Sequence, residues 1–235
     1  MSNIGELIEQ YQINVGYNND LEKSIILIDY MDTIVYRSCT LNRLLKKWAC
    51  FMGRKYSINS SFLYTYRKGV VASRMHNTIS IHVIYKELAE QCVYYKLLDE
   101  TRVNDFCKDA YNEEMDLERK FQSPKQKAIR FLKEEKKRGR KIFCVSDFRL
   151  ASDDIMHIMK YYLIDGFFDG IFSSSEYGVT KKKGDFYQRV LHEINEEARD
   201  CIMIGDNFMS DCVNASRNGI VSSWIKSRNF GGSLL

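Results

Sequence analysis

No segment of this chain approaches the ~20 consecutive apolar residues that a membrane-spanning helix needs. Met1 to Asn19 holds no lysine or arginine and no long apolar run, so neither a secretion signal nor a membrane partner is expected. Charge of one sign is also scarce. The 35 basic and 31 acidic side chains leave +4 over 235 residues, too weak a balance to argue for nucleic acid, and none is expected as a partner. Cys39, Cys50, Cys92, Cys107, Cys144, Cys201 and Cys212 are odd in number and scattered. They outline neither a disulfide framework nor a zinc site. Several sit inside apolar runs, so reduced, buried thiols and a cytoplasmic setting are expected. His82, His157 and His192 fall on helical stretches without ligand spacing. There are no internal repeats or low-complexity segments, and the only proline is Pro124.

What is present is the composition of a globular protein, 45% hydrophobic and 28% charged. The length suits one large domain, or a core domain with an insertion. Within it, apolar runs that stop abruptly in polar residues carry the chemistry. Ile25-Ile26-Leu27-Ile28 ends in Asp29-Tyr30-Met31-Asp32-Thr33. Ile142-Phe143-Cys144-Val145 ends in Ser146-Asp147, and Ile171-Phe172 in Ser173-Ser174, ahead of Lys181. Cys201-Ile202-Met203-Ile204 ends in Gly205-Asp206-Asn207, with Asp211 beyond. Such runs read as buried strands with polar tips. In open parallel sheets, ligands sit beyond the carboxyl ends of the strands. Carboxylates, a hydroxyl and a lysine converging there suit a divalent cation and a phosphoryl group.

Between the first two strands lies a long stretch of helical periodicity. Leu41, Leu44, Leu45 and Trp48 predict one helix, Ile81, Ile84, Leu88 and Cys92 another, and Asp99 to Glu118 a third. Residues 38–122 therefore read as an all-helical insertion. Ser123-Pro124 predicts a capped start for the helix Lys125 to Arg138, with Gly139 at its end. The lysines and arginines of that helix read as a solvated face. Strands and helices then alternate at short spacing through Trp224, the pattern of a parallel sheet with helices on both faces. Ile4, Leu7, Ile8 and Tyr11 predict a short leading helix packed on the domain, and Phe230 to Leu235 a frayed tail.

The four strand tips, in this order, resemble the four motifs of the haloacid dehalogenase superfamily. The resemblance runs from about Ser24 to Trp224. Asp29-Tyr30-Met31-Asp32-Thr33, Ser146-Asp147-Phe148 and the stretch from Ser175-Glu176-Tyr177 to Gly184-Asp185 are further similar to a subgroup found with bacterial surface-polysaccharide genes. The implied fold is α/β, a Rossmann-like core of residues 1–37 and 123–235 with a helical cap of 38–122 inserted after the first strand. The implied activity is magnesium-dependent hydrolysis of a small phosphomonoester such as a sugar phosphate. Asp29 would be the nucleophile. Asp29, the carbonyl of Met31, Asp206 and Asp211 would serve the Mg2+ ion. Ser146 would bind a phosphate oxygen, and Lys181 would neutralise charge as the phosphoryl group moves.

One position departs from the phosphatase pattern. The second aspartate, two residues after the nucleophile, is replaced by Met31, which cannot protonate a leaving group. Asp32 is the nearest candidate acid. Two other readings stand beside hydrolysis: a weak or inactive domain that binds a phosphorylated ligand or partner, and a metal-free dehalogenase. The presence of both Asp206 and Asp211 favours the metal-dependent enzyme.

Overall fold

The computed structural model describes residues 4–17, 24–73 and 79–226, without the side chains of 71–73; the tail reading for Phe230 to Leu235 lies outside them. Helix α1 (Ile4–Gln10) leads to β1 (Asn14–Val15), β2 (Ile25–Ile28) and β3 (Val35–Arg37). Four helices follow: α2 (Leu41–Tyr56), α3 (Ser60–Ser73), α4 (Ile81–Tyr94) and α5 (Val103–Phe121). The chain then runs through β4 (Gln122–Pro124), α6 (Gln126–Lys137), β5 (Lys141–Ser146), α7 (Ser152–Tyr161), β6 (Gly170–Ser173) and the single turn α8 (Ser174–Tyr177). Helix α9 (Asp185–Ile194), β7 (Cys201–Gly205), α10 (Asn214–Arg217) and β8 (Val221–Trp224) complete it.

Six strands form one parallel sheet in the order β1-β8-β7-β2-β5-β6. Every residue of β2 and β7 is buried, because helices cover both faces and leave no solvent side. β2 lies between β5 and β7, and the chain visits the two flanks in succession. That reversal opens a crevice at the carboxyl tips beside β2. Asp29, Ser146 and Asp206 all stand at that edge.

Helices α2 to α5 pack mainly on one another. Trp48 stacks on Tyr85 with ring centroids 5.3 Å apart, and its indole donates to the Ala110 carbonyl at 2.9 Å. Arg67 is fully buried and is paired with Glu114 at 3.0 Å. Glu114 also accepts from Tyr85 and from Arg149, which lies in the loop after β5. Arg37 and Glu118 form a second such link, at 2.8 Å. The helical insertion and the sheet thus share charged ties as well as one continuous apolar cluster.

Ser123 and Pro124 do not start α6, as the sequence suggested. They form β4, pairing antiparallel with Tyr36 and Val35. Proline is tolerated in this two-stranded ribbon because an edge strand leaves half its amides unpaired. α6 begins after Lys125, and Gly139 closes it at φ +78°. Ile8 and Tyr11 pack on Ile13, Cys212 and Val213, which anchors the leading segment. All seven cysteines are unpaired. Among the described residues no helix is long and apolar enough to cross a membrane.

Candidate active site

The tips of β2 and β7 are held level by the Asp29 amide, which donates to the Ile204 carbonyl at 2.9 Å. Beyond β7, the chain makes one π-helical turn, Phe208–Val213. The Asn207 side chain caps it by accepting from the Ser210 amide at 3.0 Å. That turn folds Asp211 back so that its Oδ2 accepts the Asn207 amide at 2.9 Å. Gly205 makes the approach possible, since a Cβ there would stand 2.2 Å from Asp211 Oδ2. As a result, carboxylate oxygens of Asp29, Asp206 and Asp211 lie within 4.8 Å of one another.

Lys181 enters from the loop after α8. Its ammonium is 2.5 Å from Asp29 Oδ1 and 2.7 Å from Asp211 Oδ1. Lys182 and Lys183, its neighbours in the basic run, are exposed. The Lys181 backbone is clamped on two sides. Asp147 accepts the amides of Lys181 and Lys182 at 3.0 and 3.3 Å, and Asn214 donates to both their carbonyls at 3.1 and 2.8 Å. The sequence names Asp147 only as part of the strand tip Ser146-Asp147 and assigns it no role. Its position next to Ser146 at a strand tip was the available signal for more.

The electrostatics follow from three carboxylates facing one buried ammonium. Burial opposes the charge of Lys181, but Asp211 and Asp29 outweigh it and hold the ammonium well above its usual range. Burial pushes the Asp29 carboxyl up; Lys181 draws it back, and Asp211 and Asp206 push it further. Asp206 is raised from 3.8 to about 6 by burial, then by Asp211 and Asp32. An all-oxygen donor set with surplus negative charge is suited to a hard divalent cation.

The surrounding cavity measures about 270 Å³ and also includes Met31, Asp32, Ser146, Phe148, Asn207 and Ser210. Ser146 is buried, and its Oγ accepts the Phe148 amide at 3.1 Å. This leaves the hydroxyl proton to donate. Asp32 sits at φ +57°, a left-handed conformation that aspartate tolerates better than most residues. Its carbonyl accepts from Lys125. Met31 is half-buried, packs on the apolar core and lines the cavity. Each residue expected to act therefore borders one space. His82, His157 and His192 lie elsewhere, and His82 stacks on Tyr111.

The sequence profile of the haloacid dehalogenase-like hydrolases matches residues 56–215, more than half of the chain. The chain belongs to that family. Solved structures share the fold of this haloacid dehalogenase-like hydrolase over nearly its whole length. A 2-haloacid dehalogenase from Pseudomonas syringae pv. tomato DC3000 aligns with TM-score 0.65 and 11% identity, covering 91% of each chain. A HAD phosphatase from Thermococcus onnurineus gives 0.59 and 15%, covering 90% of each. A predicted phosphoglycolate phosphatase from Haemophilus somnus gives 0.58 and 13%, over 89% of this chain and 88% of that one. At such identities the likeness concerns fold alone. A search of curated proteins finds no match. Asp29 precedes the matched stretch and joins the site through the pairing of β2 with β5 and β7.

Proposed function

We propose that this hydrolase cleaves small phosphomonoesters in a magnesium-dependent reaction through an aspartyl-phosphate on Asp29. The convergence of Asp29, Asp206 and Asp211 carries the reading. Asp206 and Asp211 beside Asp29 form an all-oxygen set suited to a hard divalent cation, which favours a metal-dependent enzyme over a metal-free dehalogenase. Asp29, Asp206 and the Met31 carbonyl would hold the ion, with Asp211 behind them. When bound, it neutralises phosphoryl oxygens.

The chain's own groups supply the rest. The Asp29 carboxylate attacks phosphorus, and its new P–O bond forms as the ester P–O bond breaks. Ser146 donates to a phosphoryl oxygen, and Lys181 offsets the charge on the group in transfer. The departing alkoxide takes a proton from Asp32, since Met31 has none to give. Water, giving its proton to the Asp32 carboxylate, then forms a bond to phosphorus as the Asp29–phosphorus bond breaks, releasing phosphate and restoring both carboxyl groups. Helices α2 to α5 serve as the cap through which the leaving group enters. The resemblance at Ser146-Asp147-Phe148 favours a sugar phosphate as substrate.

Steady-state assays on an aryl and an alkyl phosphate, with magnesium or chelator, test this. Wild type should turn over only with magnesium, and Asp29→Asn should be inactive but folded. Unchanged rates in Asp29→Asn would remove the covalent mechanism. Halide release from a 2-haloacid without metal would favour the dehalogenase.

A further inference from the structure

A second concave surface lies on the helical insertion. Helix α2 has two clean faces. Leu44, Leu45, Trp48, Ala49, Met52 and Tyr56 point inward, while Arg43, Lys46, Lys47, Arg54 and Lys55 are exposed. With Lys120 of α5 these five line an open groove of about 920 Å³ that shares no residue with the carboxylate cavity. Lys55 is paired with Asp109 at 2.7 Å. Among the described residues the other five cations form no ion pair.

Aromatic rings interleave with these charges. Phe51, 42% exposed, lies one turn from Lys47 on one side and from Lys55 on the other. Phe121 lines the opposite wall, with the Lys47 ammonium 5.7 Å from its ring centroid. Arg43 to Lys55 spans about 18 Å of helix. One phosphate would engage a single turn and leave the other cations unused. A row of cations with the exposed ring of Phe51 among them fits a ligand whose anions repeat along a line and whose planar faces lie between them. That is the chemistry of single-stranded nucleic acid, bound by a basic groove with stacking platforms. A lipid surface is flat and meets a groove poorly. An acidic polymer without bases leaves Phe51 without a stacking partner.

We infer that this groove binds single-stranded nucleic acid, with phosphates on Arg43, Lys46, Lys47, Arg54 and Lys120 and a base on Phe51. The whole-chain charge of +4 hides this site because acidic residues elsewhere cancel it; the local density of cations governs binding.

Fluorescence anisotropy on the full chain tests the site, with labelled single-stranded RNA and DNA of ~12 nucleotides. Affinity should fall with salt at a log–log slope of about −2 to −3.5, the value for roughly three to five phosphate contacts on a single strand. The double variant Lys46→Glu/Arg54→Glu should bind at least ~10-fold more weakly, and Phe51→Ala ~5-fold or more through lost stacking. Lys46 and Arg54 are exposed and Phe51 is 42% exposed, so melting temperature should shift by only a few degrees and aryl phosphate hydrolysis should not change. Preference between RNA and DNA will name the source of the strand. Absence of binding at ~50 mM salt would overturn the inference. So would unchanged affinity in Phe51→Ala. Equal competition by polyphosphate, an acidic polysaccharide or anionic vesicles at matched charge would also overturn it, since the groove would then read charge alone.

Discussion

Replacing Asp206 with asparagine should stabilise the metal-free protein while removing its response to magnesium. Burial, with Asp211 and Asp32 nearby, raises the Asp206 carboxyl from 3.8 to about 6. A folded-state pKa above the unfolded value means that the native state binds the extra proton. Stability from this group is therefore greatest at low pH and is lost as pH rises from about 4 to about 6. Two pH units at about 1.36 kcal/mol each make a penalty of roughly 3 kcal/mol, present in full at neutral pH. Asparagine keeps the shape and removes the charge. At ~2–4 °C per kcal/mol for a chain of this size, melting should rise by roughly 6–12 °C in chelator at pH 7.5. Near pH 4 the two proteins should melt together, because wild-type Asp206 is then protonated in the fold. Added magnesium should raise wild-type melting and leave Asp206→Asn little changed, since a hard oxygen ligand is lost. The assay is thermal unfolding at both pH values, with chelator and with magnesium. Equal melting in chelator at pH 7.5, or equal gains from magnesium, would refute the reasoning.

Glu114→Ala should cost roughly 3–5 kcal/mol in denaturant unfolding, because it leaves Arg67 fully buried without its carboxylate. It should also loosen the tie between α5 and Arg149, so a loss comparable to an ordinary surface substitution would contradict the structure. Asp32→Asn should slow alkyl phosphates by ~100-fold or more and aryl phosphates much less, since good leaving groups need little protonation. Met31→Asp should then add little; a large gain on alkyl phosphates would show that the missing acid, and not Asp32, governs the rate.

The strands that carry the site were legible because each is a local pattern. Ile25 to Ile28, Lys141 to Ser146 and Cys201 to Gly205 are short apolar runs with polar tips, and a strand buried on both faces has no other way to look. Helices α2 and α4 showed through their apolar spacing, and α5 was expected over Asp99 to Glu118. Helix α3 did not show, because its inward face, Leu63, Arg67 and Val70, includes a charged residue whose partner lies 47 positions away. Ser123-Pro124 carried a sound local signal for a helix start, and pairing with β3 overrode it. Lys181, the lysine named from the motif, is the one of its run that is buried in the site. Asp147 and Asn214 fix the backbone of both Lys181 and Lys182, and in that fixed loop only the Lys181 side chain turns to Asp29 and Asp211. Short-range sterics and burial patterns thus determined which residues sit at strand tips. Only the tertiary structure decided how far apart Asp29, Lys181 and Asp211 stand, because sheet pairing joins segments separated by 152 residues at the Asp29–Lys181 contact. It also decided that Lys120 and Phe121 of α5 join the cations of α2 in one groove, since that depends on how the two helices pack.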